Sequence, residues 1–394
     1  MKIWWFCIPA YGHTNPTIEV VRQLVKRGHD VTYYSFDMFA DKIKDTGARY
    51  ISCDRFLPDL NAKETERIQE VSTSDMSLNA IHTTIAMDGF LKEEISLGKP
   101  DLIVSDSVCF WAKLTARKYE IPLIVSTTTF AFNQQSARSL QYSPKEIFRL
   151  MVGMPKVQRE LKKLRPLGYE VTNVISLVQD DNDTDTIVYA AKAFQPSADT
   201  FSPEHYLFAG PSVKDVPVTR QDNPRPFVYI SLGSVIASRP DFYRTCIEGL
   251  GNEDLDVLIA CGKTFDMSKL PPLPANIKAE PFVSQMEVLA KADVFITHCG
   301  MNSAAEGLWM GVPEILFPLS GEQRAVAAAV ERSGAGLRID EKRPSPATIK
   351  DAVFRLLQEE KWRINARRMR DEFRSCPGPS GAADFIERVY QRNH

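Results

Sequence analysis

The sequence predicts an α/β protein of two doubly wound, Rossmann-like domains, each a parallel sheet with helices on both faces. Three observations carry this. Short apolar, β-branched runs alternate with helical stretches along both halves of the chain. The 394 residues exceed the roughly 250–300 over which a single hydrophobic core keeps growing. A stretch rich in proline and charge, GPSVKDVPVTRQDNPRP at 210–226, separates the halves. The expected organisation is a domain at 1–209, a linker at 210–226, a second domain at 227–374 and a terminal helical segment at 375–394.

In the first half, Lys2–Ile8 is a strand and Pro9–Thr14 a loop. Asn15-Pro16 then supplies an N-cap and a proline at the first helical position. Ile18, Val21, Leu24 and Val25 share a helical face, and Gly28 ends the helix. Asp30–Ser35 completes a βαβ unit, and Gly47–Ser52 fits a third strand. Residues 57–75 are polar and read as a loose loop, and Met76–Leu97 reads as a helix. Pro100–Asp106 is a buried strand ending in an acid, Cys109–Tyr119 a helix and Ile121–Ser126 the next strand. Between 127 and 205 aromatic, Met and Gln residues are frequent but periodicity is weak; Thr186–Ala190 and Tyr206–Ala209 are the last strands of this half.

A sheet of order 3-2-1-4-5 makes its first and fourth strands neighbours, and ligands bind at that switch point. His13 and Asp106 both follow such strands, so the topology puts them side by side. A carboxylate beside an imidazole fixes its tautomer and stabilises the imidazolium, which is what a general base needs. Phe110, just past Asp106, is a candidate for an apolar pocket by position. Phe130, Phe132, Phe148, Met151 and Met154 fit either a pocket or an ordinary core.

The second half repeats the pattern with strands at Phe227–Leu232, Asp256–Ala260, Asn276–Phe282, Ala292–Thr297 and Val312–Phe317. Gly233, after the first of them, lets backbone approach a ligand closely. After Ala292–Thr297, His298-Cys299-Gly300 forms a turn. Asn302-Ser303 opens a helix that Gly311 and Pro313 close. A helix N-terminus with an imidazole beside it suits a phosphate. The spacing Ser303-x-x-Glu306 equally fits a capping box. Glu322-Gln323 can accept from and donate to vicinal hydroxyls, and also suits the first turn of a helix. Glu314, an acid inside an apolar strand, calls for a partner.

Composition narrows the function. The hydrophobic fraction is 44% and the formal net charge −2, so nothing calls for nucleic acid or a charged membrane surface. No apolar run reaches the roughly 18 residues of a membrane span. The N-terminus MKIWWFCIPAYGH reads as a strand, not a signal peptide. Seven scattered cysteines without a Cys-x-x-Cys pair imply reduced thiols in a cytoplasm and no zinc site.

From Phe282 to Gln323 the chain resembles the donor-nucleotide motif of GT-B fold UDP-glycosyltransferases. The matching pieces are Val283-Ser284-Gln285, Thr297-His298-Cys299-Gly300, Asn302-Ser303, Glu306, Gly311-Val312-Pro313 and Glu322-Gln323. Pro9–Pro16, PAYGHTNP, resembles the acceptor-side loop of the same family, the bacterial macrolide and natural-product branch. The resemblance implies two domains facing across a cleft, with the last helix returning to the N-terminal domain. It implies His13 as base and Asp106 as its partner. Gly233, Ser234, His298, Gly300, Asn302 and Ser303 would hold the diphosphate; Glu306 the ribose; Phe282 and Val283 the uracil, beside Gln285; and Glu322 and Gln323 the sugar. Phe110, Phe130 and Phe132 would line the acceptor site. Departures are Ser284 where the family has Pro, and Cys299 where it has Gly.

The implied activity is inverting, metal-independent transfer of a sugar, glucose by default, from a UDP-sugar to a hydroxyl of a small apolar acceptor. No cofactor, nucleic acid or stable membrane partner is expected. A UDP-sugar epimerase on the same fold and a non-catalytic auxiliary homologue are the competing readings.

Overall fold

A computed structural model describes residues 1–57, 73–139, 144–171, 183–213, 215–220, 224–233, 239–341 and 343–394. It divides into two compact units: Met1–Ser212 with Cys376–His394, and Val213–Ser375.

The first unit runs β1 (Lys2–Phe6), α1 (Tyr11–Thr14), α2 (Ile18–Lys26), β2 (Asp30–Ser35), α3 (Ala40–Lys44), β3 (Arg49–Ser52), α4 (Thr73–Gly98), β4 (Leu102–Asp106), α5 (Phe110–Lys118), β5 (Leu123–Thr127), α6 (Pro144–Leu161), β6 (Thr186–Val188) and β7 (Tyr206–Phe208). All strand pairs are parallel, in the order β3-β2-β1-β4-β5-β6-β7. Helices cover both faces, so a central strand is apolar throughout. In β1, Trp4 and Phe6 enter one core, while Ile3 and Trp5 enter the other.

The second unit runs β8 (Phe227–Ser231), α7 (Pro240–Leu250), β9 (Asp256–Ala260), β10 (Ile277–Glu280), α8 (Gln285–Leu289), β11 (Val294–Thr297), α9 (Met301–Trp309), β12 (Glu314–Leu316), α10 (Gly321–Ser333), β13 (Gly336–Arg338), α11 (Pro346–Gln358) and α12 (Glu360–Arg374). Its parallel sheet has the order β10-β9-β8-β11-β12-β13. Val228 and Ile230 of β8 face one core; Tyr229, between them, faces the other.

The final helix, α13 (Gly378–Asn393), packs on the first unit. Ala382, Phe385, Ile386 and Val389 share a core with Ile18, Val21 and Leu24 of α2. Arg27 binds Asp384 and Glu387 at 2.6 and 2.9 Å, and His29 reaches Glu387 at 2.8 Å.

Several expectations need correction. Helix begins at Tyr11, not Asn15: Ala10 is the extended N-cap, and Asn15 has φ −56° and ψ −45° despite the proline after it. That conformation is disfavoured before proline, so tertiary packing decides it. Helix α4 starts at Thr73, and residues 58–72 of the expected loop lie outside the described residues. Helix α6, with Pro155 inside it, lies where periodicity was weak. Residues 215–220 are docked: Val216 and Val218 pack on the second unit's core, and Arg220 donates to the carbonyls of Met310 and Gly311 at 2.7 and 3.0 Å.

Candidate active site

In the first unit, β1 and β4 pair directly, with Phe6 opposite Ser105. The turn after β1 carries His13 on α1, and Asp106 ends β4. His13 Nδ1 lies 2.6 Å from Asp106 Oδ2. Asp106 is buried at 1% exposure, and its other oxygen accepts from the Val108 amide at 3.0 Å. Both carboxylate oxygens are therefore satisfied. A proton held on Nδ1 by Asp106 leaves the His13 lone pair on Nε2. The imidazole keeps 21% exposure. The turn is tied down from below, where the Thr17 hydroxyl donates to the Thr14 carbonyl at 2.8 Å.

The second unit places its candidate residues at its own switch point. Gly233 follows β8 and His298 follows β11, and these strands pair in parallel with Ser231 opposite Thr297. A Cβ on Gly233 would stand 2.6 Å from His298 Cε1, and one on Gly300 would stand 2.7 Å from its Nε2. The imidazole is thus clasped between two glycines. Burial depresses its pKa to about 4, with the Ser231 backbone pulling the other way, so the ring is neutral at pH 7. Among the described residues His298 Nδ1 has no hydrogen-bond partner.

Helix α9 starts from Gly300, which is extended (φ −63°, ψ 139°) and offers no side-chain cap. Its ladder opens with the Ala304 amide on the Gly300 carbonyl, so the N–H groups of residues 301–303 precede it. The capping box suggested by Ser303 and Glu306 does not form. Ser303 lies inside the helix, not at its cap. The Glu306 carboxylate instead accepts from Gln285 Nε2 at 2.7 Å, and Gln285 Oε1 accepts from the Tyr229 hydroxyl at 3.1 Å. Burial raises Glu306 to about 7, which the Gln285 contact opposes.

The remaining candidates divide. Phe282 is 66% exposed, with Lys263 Nζ 4.6 Å from its ring centre. Val283 packs against the core beside Tyr229. Gln323 caps α10: its Oε1 accepts from the amides of Leu319 and Ser320 at 2.8 and 3.2 Å, reciprocated by Ser320 Oγ. The spacing Ser320-x-x-Gln323 was the signal for that role. Glu322, beside it, is exposed. Ser234 lies outside the described residues. Phe110 and Phe130 are core residues, at 3% and 1% exposure; the second packs on Phe194. Phe132 is half-buried, and Phe148 and Met151 stand exposed on α6. Tyr229 and Arg220 are the residues that sequence reasoning missed, because both act through tertiary contacts.

Comparison with known proteins places the chain in a family. Residues 244–389 match the family model described as Erythromycin biosynthesis protein CIII-like, C-terminal domain. The chain is 32% identical to NDP-glycosyltransferase YjiC of Bacillus licheniformis, over 97% of this chain and 96% of that one. It is 28% identical to the demethyllactenocin mycarosyltransferase of Streptomyces fradiae, over 97% and 85%. Among solved structures, CalG4, the calicheamicin glycosyltransferase, superposes with a TM-score of 0.82 at 27% identity, covering 99% of this chain and 98% of that one. With two parallel-sheet units and the His13–Asp106 pair in place, the chain belongs to the bacterial NDP-sugar glycosyltransferases of natural-product type, with the GT-B fold.

Proposed function

We propose that the protein transfers glucose, with inversion, from UDP-glucose to a hydroxyl of a small apolar natural product such as a flavonoid, phenol or macrolide. The observation that carries this reading is the 2.6 Å contact of His13 with buried Asp106. His13 Nε2 takes the proton of the acceptor hydroxyl as its oxygen attacks the anomeric carbon. The bond from that carbon to the diphosphate breaks, and UDP leaves with the electron pair. Asp106 stabilises the imidazolium. Attack from the side opposite the leaving group inverts the anomeric centre.

The second unit holds the donor. Gly233, Ser234, His298, Gly300, Asn302 and Ser303 receive the diphosphate. Helix-terminal N–H groups and an imidazole stabilise its developing charge, so the reaction proceeds without metal. Glu306 takes ribose hydroxyls, with Gln285 holding its carboxylate; Phe282 and Val283 meet the uracil; Glu322 and Gln323 meet the sugar. Seven free cysteines, six of them buried, support a cytoplasmic setting. No described helix is long and apolar enough to cross a membrane.

The test is a mass-spectrometric screen of UDP-glucose against flavonoids, macrolides and simple phenols, with EDTA present. A hexose mass gain on at least one acceptor, with a β-linkage by NMR, is expected. UDP-glucose isomerised without an acceptor, or UDP bound with no transfer to any acceptor, would overturn the reading.

A further inference from the structure

Tyr229 lies in the middle of β8 at 1% exposure, its ring stacked on Phe295 with centroids 5.0 Å apart and planes 10° apart. The stack leaves the ring one orientation and aims its hydroxyl at α8. There it donates to Gln285 Oε1 at 3.1 Å. An amide whose oxygen takes that proton must turn its NH2 the other way. Gln285 Nε2 accordingly donates to Glu306 Oε2 at 2.7 Å and reaches Ser303 Oγ at 3.3 Å. Three elements, β8, α8 and α9, are thereby joined by one directed hydrogen-bond chain.

We propose that Tyr229 is a positioning residue for nucleotide recognition: its hydroxyl sets the Gln285 amide so that Glu306 presents a carboxylate to ligand hydroxyls. The inference rests on the reading that α9 holds a nucleoside diphosphate. An ionised carboxylate accepts two hydroxyl protons, whereas a carboxylic acid spends one oxygen as a donor. Glu306 sits near 7, and the Gln285 contact is what lowers it. The titratable group facing Glu306 from β8 is Tyr229; Gln285 from α8 and Ser303 on its own helix carry no charge. Reversing the amide would put two oxygens face to face and favour the protonated acid.

The experiment is UDP binding by calorimetry at pH 7.0 and 8.5, range enough to titrate Glu306 while His298 stays neutral. Tyr229→Phe keeps the ring stack and deletes the hydroxyl. At pH 7.0 its UDP Kd should rise about three- to tenfold, the scale of one lost hydrogen bond. At pH 8.5, where Glu306 ionises regardless, most of the loss should disappear. Gln285→Met should show the same pH-dependent loss, and adding Tyr229→Phe to it should cost nothing more. A Tyr229→Phe enzyme with the wild-type pH profile would overturn the proposal, as would full additivity with Gln285→Met. Failure of the wild type to bind UDP at either pH would instead remove the assigned function of α9.

Discussion

Gly233 presents a bare Cα to the imidazole of His298, and a methyl group there would fall 2.6 Å from Cε1. Gly233 also has φ +77°, a conformation that L side chains adopt at a cost of about 1–2 kcal/mol. Gly233→Ala should therefore push the imidazole out of place as well as strain the turn. UDP affinity is expected to fall at least about tenfold. His298→Ala should lower kcat by about 10²–10³-fold, the usual scale for one donor on a developing oxyanion. Steady-state kinetics beside UDP calorimetry separates the two effects.

His13→Ala should reduce transfer by about 10²–10⁴-fold while UDP binding stays at the wild-type level. Asp106→Asn should act in the same direction, since an amide can offer its NH2 to Nδ1 and select the wrong tautomer. Unchanged turnover in the first variant would remove the base assignment. Unchanged turnover in the second would mean that another group orients the ring.

How much of this could be read beforehand follows from what each feature depends on. Strands covered on both faces must be apolar along their length, so the two sheets stood out as runs such as Phe227–Ser231 and Val294–Thr297. The three-residue strand β13 has no such run, and helix α6 carries a proline inside it. His13 and Asp106 were placed together by strand order alone. The Tyr229–Gln285–Glu306 chain could not be, because it joins residues 56 and 21 positions apart through side chains. Ser303 and Glu306 looked like a cap only because that spacing puts the N-cap at Ser303, three residues past the actual cap, Gly300.

Cys299 stands where a glycine was expected, and its φ of +63° explains the expectation. The left-handed conformation costs a Cβ-bearing residue about 1–2 kcal/mol. Its side chain is fully buried and reaches the Thr297 carbonyl at 3.7 Å through sulfur. Cys299→Ala keeps the strain and discards the sulfur, so it should be the least stable of the three. Cys299→Gly discards both and should recover most of that loss. Thermal unfolding of the three proteins gives the order; an alanine variant more stable than the glycine one would show that the backbone is unstrained.

Glu314 is the acid that the sequence left without a partner, and the structure supplies none among the described residues. It is fully buried, both oxygens lack hydrogen bonds, and its carboxyl lies so near Gly307 that a Cβ there would be 2.3 Å from Oε1. Burial raises its pKa well above the usual carboxylate range, so the folded protein holds a proton that the unfolded chain releases near pH 4.5. The folded state then binds more protons than the unfolded one, and stability falls as pH rises above 4.5. Glu314→Met fills similar space without the polar atoms. It should stabilise the second unit by about 1–3 kcal/mol at pH 7, the desolvation cost of unsatisfied buried groups. At about 2–4 °C per kcal/mol for a unit of this size, that is a rise of several degrees in Tm. The gain should be larger at pH 8 than at pH 5, because only the wild type pays the growing cost of retaining the proton. A variant less stable than wild type at both pH values would show instead that the carboxyl is held by a buried partner such as water.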